Sequence, residues 1–150
     1  MKTEEPITLR VQHRFRHPPE VVFDAWLDVR RAARFLFSTE TGEMVRCDID
    51  PRVGGKFVMT DRRADGDVEH TGEYLAIERP THLVFTFGIP AASPSFDIVT
   101  IDITPEDDGG CTLHLTTQMQ PEWKDYADRA RQGWSQILQR LDVALAEGAA

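Results

Sequence analysis

The chain has only two cysteines, Cys47 and Cys111, far apart and outside any CxxC pattern. That excludes a disulfide-rich scaffold and a cysteine-based zinc site, while one bridge between distant strands stays open. Reduced thiols in a cytoplasm are the expectation. No apolar run approaches the roughly 20 residues of a membrane-spanning helix. The opening stretch MKTEEPIT lacks the apolar segment of a secretory signal, so none is expected. Positive charge is also in deficit, with 17 Lys and Arg against 25 Asp and Glu and a net charge of −8. Nucleic acids and anionic membranes require a basic surface, so neither is an expected partner. The short basic run Arg30, Arg31, Arg34 reads as a solvated helix face.

Several catalytic signatures are missing. There is no GxSxG elbow, no GxGxxG and no P-loop. The histidines His13, His17, His70, His82 and His114 show neither the HxH nor the HExxH spacing of a metal site. Glu43, Asp48 and Asp50 could ligate a hard cation, but alternation puts the two aspartates on a solvated face. No metal and no cofactor is expected.

What is present is an ordinary globular composition, 41% hydrophobic and 28% charged. A length of 150 residues suits one domain, taken as residues 1–150. Ile7, Leu9, Val11, His13 and Phe15 alternate with polar residues, the mark of a half-buried strand. Pro18-Pro19-Glu20 stops it and opens a helix carrying Val22, Phe23, Trp26 and Leu27, which fades at Asp28. A second short helix is predicted at about Arg31 to Phe35.

A meander of strands follows. It runs through Met44 to Ile49, Lys56 to Arg62, Glu69 to Ile77, His82 to Phe87, Asp97 to Thr104 and Cys111 to Met119. Ala64-Asp65-Gly66-Asp67 carries the Asp-Gly signature of a tight hairpin, and Gly88 to Ser95 reads as a loop. The last helix is predicted from Pro121 to Gly148, about 25 residues and about 37 Å long. Trp123, Ala127, Ala130, Trp134, Ile137, Leu138, Leu141 and Leu145 recur along it at steps of three and four, the strongest periodic signal in the chain.

The fold class is therefore α+β. An antiparallel sheet of about six or seven strands needs a cover for its apolar face, and the C-terminal helix is the one element long enough. A bent sheet gripping one helix leaves a gap where the two surfaces diverge, and such a gap is a pocket.

Five segments carry a family resemblance: His17 to Trp26, Gly54-Gly55-Lys56-Phe57, Gly72-Glu73-Tyr74-Leu75, Leu83 to Phe87, and Gly133-Trp134. In this order the chain resembles the Aha-type branch of the START-related (SRPBCC) superfamily from about Ile7 to Leu145. The branch is named for an activator of a heat-shock chaperone's ATPase. The superfamily also includes polyketide cyclases, aromatases and lipid carriers. The resemblance implies a helix-grip fold with an internal cavity, and bacterial members are mostly stand-alone domains. One departure is visible: Ala33-Arg34-Phe35-Leu36-Phe37 stands where the family often shows an Arg-Trp-Phe-like patch.

The expected function is a binding protein holding an apolar or aromatic small molecule between sheet and helix. Its walls are expected from Trp26, Phe35, Met59, Tyr74, Phe87, Met119, Trp134 and Leu138, with His70 as the polar contact. His70 shares a parity with Gly72 and Tyr74, and a buried histidine satisfied by a neighbour is its simplest reading. Asp61 is expected to be solvated because the alternation should break near the hairpin; otherwise it pairs across the hairpin with His70. His70 and Asp61 are the acid/base candidates if the protein is a cyclase- or dehydratase-type enzyme, the second reading. A chaperone- or regulator-binding domain is the third. Dimerisation through sheet edges or outer helices stays open.

Overall fold

The computed structural model describes residues 7–36, 43–64, 66–90 and 96–146. Asp65 of the predicted turn, Phe37 of the patch, the 91–95 part of the predicted loop and the predicted helix stop at Gly148 lie outside them.

Seven strands form one antiparallel sheet: β1 Ile7–Phe15, β2 Glu43–Ile49, β3 Lys56–Arg63, β4 Gly66–Glu78, β5 His82–Phe87, β6 Asp97–Pro105 and β7 Cys111–Met119. Their order across the sheet is β1-β7-β6-β5-β4-β3-β2, so β2 to β7 form a meander and β1 pairs with its last strand. The alternation read from β1 and β7 holds. Leu9, Phe15, Cys111, Leu113, Leu115 and Met119 are buried, and His114 is exposed. Both cysteines are free thiols, and burial pushes the Cys47 thiol up to about 11.

The register shifts between Met44 and Arg46 in β2 and between Tyr74 and Ala76 in β4. The extra residues, Val45 and Leu75, are both exposed. A bulge bends its strand and raises the local twist, which is how this sheet curves. A second contributor is Gly72, where a side chain would collide with the Thr86 carbonyl and the Phe57 ring. The β5 backbone and the Phe57 ring of β3 come that close to β4 only because no Cβ stands at this position.

Helices α1 Pro19–Ala25 and α2 Val29–Phe35 cover one end of the concave face. Pro19 occupies the first turn of α1, as expected. Asp28 does more than end the first helix. Its carboxylate accepts the backbone N–H groups of Arg30 (2.9 Å) and Arg31 (3.4 Å), so α2 begins two residues earlier than predicted.

The long helix α3 runs Ala127–Ala146, 20 residues rather than about 25. The stretch Pro121–Tyr126 is a 3-10 helix, and Trp123 (φ −100°, ψ 15°) breaks the α-helical path. Three residues per turn set positions i and i+3 above one another. Trp123 and Tyr126 accordingly meet edge to face at 6.0 Å. From there α3 buries Trp134, Leu138, Leu141 and Leu145 along one stripe. It lies along β1 and against α2, and His13 Nε2 meets Asp142 Oδ2 at 2.8 Å where β1 and α3 face each other.

Candidate functional site

The large inward side chains divide into two groups. The first lies beneath α1 and α2. Trp26 and Phe35 meet edge to face at 5.1 Å, Phe57 and Phe85 likewise at 5.7 Å, and Tyr74 leans on both of the latter. Trp26, Leu36, Phe57, Tyr74, Leu83 and Phe85 surround a space too small for a water molecule. Of the expected pocket walls, Trp26, Phe35 and Tyr74 thus stand together in close-packed core. Burial drives the Tyr74 hydroxyl well above the usual phenol range.

The second group lies where Phe87, the last residue of β5, reaches α3. The His70 ring stacks on Phe87, with centroids 5.8 Å apart and planes 12° apart. Phe87 in turn meets Trp134 of α3 edge to face at 5.7 Å. Three aromatic rings therefore bridge sheet and helix. Gly88 belongs to the same arrangement: it exchanges two 2.9 Å backbone hydrogen bonds with Thr71, so β4–β5 pairing continues one residue into the predicted loop. Met59 lies opposite His70 in the β3–β4 register, and Leu138 is buried one turn beyond Trp134. Met119 is buried at the end of β7.

His70 is 4% exposed. Its Nδ1–H donates to the Met59 carbonyl at 3.3 Å. Burial pushes the imidazole down to about 4, the nearby Arg63 adds to the lowering, and backbone hydrogen bonds and Asp61 partly oppose it. At neutral pH the ring is uncharged.

Asp61 is 0% exposed, which corrects the expectation of a solvated carboxylate. The alternation persists to the end of β3 because Arg63, two residues on, sends its Nε to Asp61 Oδ2 at 2.8 Å. A buried carboxylate is tolerable once a guanidinium neutralises it. In register Asp61 faces Val68 and His70 faces Met59, so the two acid/base candidates are diagonal neighbours on one face rather than opposite partners.

Two further polar groups join this end of the sheet, and neither was singled out in the sequence. Asp97 opens β6 directly across from Phe87 and shares the inward parity of Val99, Ile101 and Ile103. Burial raises its carboxyl to about 6. Thr117 is 0% exposed, lies across from Val99, and its Oγ1 has no hydrogen-bond partner among the described residues. The inward parity of both was readable; what hid them was that an aspartate beside a loop and a threonine in a strand are commonplace.

No three His, Cys, Asp or Glu side chains converge on a metal position among the described residues. The aspartates weighed as cation ligands pair instead with arginines, Asp48 with Arg46 at 2.7 Å and Asp50 with Arg52 at 2.8 Å. No described helix is long and apolar enough to cross a membrane.

Solved structures share this architecture. A protein from Chromobacterium violaceum is similar with 25% identity and a TM-score of 0.80, over 92% of this chain and 96% of its own. One from Rhodobacter sphaeroides has 22% identity and a TM-score of 0.82, over 95% of each chain. An AHSA1-like protein from Aeromonas hydrophila has 20% identity and a TM-score of 0.77, over 94% of this chain and 93% of that one. No functionally curated protein matches. The model of one family fits residues 16–146, helices and all but the first strand of the sheet included. The chain belongs to that family, the Activator of Hsp90 ATPase homolog 1-like proteins.

Proposed function

We propose that this protein binds an apolar or aromatic small molecule at the end of the sheet where β4, β5 and β6 meet α3. One observation carries the reading: the ring series His70–Phe87–Trp134 spans sheet and helix there. The faces and edges that this ring series leaves uncovered would offer stacking and edge contacts to a flat guest, each worth about 0.5–1.5 kcal/mol beyond area burial. Buried polar groups beside them, His70 and Thr117, supply orientation. The region under α1 and α2 is closed by its own side chains and leaves the guest no room there. That moves the expected contacts away from Trp26, Phe35 and Tyr74 and toward Met59, His70, Phe87, Met119, Trp134 and Leu138.

The catalytic alternative would use Asp61 and His70. It draws support from their shared face. Against it, an imidazole held at about 4 is a weak base at neutral pH, and Asp61 is already engaged by Arg63.

Native mass spectrometry of the protein isolated from its own host tests the binding reading. The expected result is a small-molecule adduct that disappears in Trp134→Ala while the far-UV spectrum is kept. Bare polypeptide mass in the wild type, with no shift on adding aromatic compounds, overturns it.

A further inference from the structure

We propose that the ligand of this site carries a cationic nitrogen on its apolar body, with the Asp97 carboxylate as counter-ion and the Thr117 hydroxyl as a second acceptor. The inference rests on the ligand-binding reading above and names the chemical class of the guest.

Asp97 is the cross-strand partner of Phe87, whose ring touches both His70 and Trp134. Cross-strand partners on one face stand roughly 5 Å apart. Asp97 therefore flanks the ring series on the side away from His70. Thr117 faces Val99, and Val99 is two residues from Asp97 on the same inward face. Such diagonal neighbours lie roughly 7–8 Å apart, a gap that one ammonium group can bridge.

Asp61 is neutralised by Arg63, and Arg131, one turn before Trp134 on α3, is held by Asp128 at 3.0 Å. His70 is uncharged at neutral pH. The inward positions that β7 and β1 contribute beside Asp97, namely Leu115, Thr117, Met119, Ile7 and Leu9, carry no charge. Asp97 has neither an ion pair nor a hydrogen bond to its carboxylate among the described residues, and desolvation is the one cause of its raised pKa. Among the described residues the site thus presents one uncompensated negative charge beside two aromatic faces.

That combination suits a cation in two ways. A carboxylate drawn out of water regains its lost solvation from a positive partner. Aromatic faces attract the same charge through their quadrupoles. An ammonium donates N–H bonds, which the Thr117 oxygen and the carboxylate accept. An anionic guest would meet repulsion from Asp97, and a neutral one would leave it unpaired.

The test compares three probes on the full-length protein by calorimetric titration at neutral pH: naphthylmethylamine, naphthalenemethanol and naphthoate. The amine is expected to bind about tenfold tighter than the alcohol, the scale of one charge-assisted hydrogen bond, with naphthoate weakest. Asp97→Asn is expected to abolish the amine's roughly tenfold advantage over the alcohol; an advantage that survives in this variant overturns the assignment of Asp97. Alcohol binding as tight as amine binding, with both lost in Trp134→Ala, overturns the cationic inference and leaves the apolar-ligand reading standing. If no probe binds the wild type, both readings fall together.

Discussion

His70 and Phe87 lie on adjacent strands with their rings 5.8 Å apart and within 12° of parallel, and Phe87 in turn meets Trp134 edge to face. The imidazole is thereby held where water cannot solvate its charge. Its folded pKa of about 4 lies below its ordinary value of 6.5, so the folded chain binds fewer protons than the unfolded one between those limits. Stability from this group is complete above the unfolded value and is lost as pH falls through the window to about 4. With His70 nearly fully buried, the loss amounts to about 2–3 kcal/mol. Urea titrations of wild type and His70→Gln across that window are the measurement. The wild type should lose stability on acidification by about that much more than the variant, and parallel curves would refute the assignment.

Asp97 has the opposite sign. Its carboxyl is raised by burial to about 6, so the folded state favours the protonated form. Its cost to stability builds as pH rises from the ordinary value of 3.8 to about 6, is complete above that, and vanishes below the ordinary value. Asp97→Asn keeps the shape and removes the charge. The variant should melt a few degrees higher than wild type near pH 8 and at the same temperature near pH 4. A variant less stable at both pH values would mean that the carboxylate has a partner.

The division between what could and could not be read beforehand follows from range. Strand β1, strand β7 and the stripe Trp134, Leu138, Leu141, Leu145 are written in local periodicity, and the sheet with its covering helix follows from them. Inward parity of His70 was equally local. Which inward rings touch was not. Trp26, Phe35 and Tyr74 look no different in sequence from Phe87 and Trp134, yet the former close on each other under α1 and α2 while the latter bridge to α3. That sorting depends on bulges at Val45 and Leu75 and on the start of α2 at an Asp28 cap, each a one-residue event. The burial of Asp61 is not local either: it depends on a guanidinium two residues away turning back toward it.

Trp26 should tolerate phenylalanine far better than alanine. It is buried in the closed aromatic group, yet its Nε1–H has no hydrogen-bond partner among the described residues. An unpaired buried donor costs about 1–3 kcal/mol. Trp26→Phe removes that cost and loses part of a ring, whose missing volume costs a similar amount. The two should offset to within about 1 kcal/mol, whereas Trp26→Ala should lose about 3–5 kcal/mol. Chemical denaturation of both variants decides the matter; a phenylalanine variant as weak as the alanine one would show that the indole N–H is bonded.

Gly72 sits where β4 passes between Phe57 and the end of β5. A Cβ there would stand 1.9 Å from the Thr86 carbonyl oxygen and 2.3 Å from the Phe57 ring. The ring could swing aside, but the carbonyl belongs to backbone that is itself tied into the sheet, with Thr86 Oγ1 accepting from the Glu73 N–H at 2.9 Å. Relief therefore requires β4 and β5 to separate, and with them His70 and Phe87. Gly72→Ala should destabilise the protein by more than the typical single substitution, about 4 kcal/mol or beyond. In whatever fraction stays folded, His70 should regain solvent and titrate closer to its ordinary value, which its ring proton shifts in nuclear magnetic resonance would report. Equal stability and an unchanged His70 titration would mean that the strands can part locally without moving the ring stack.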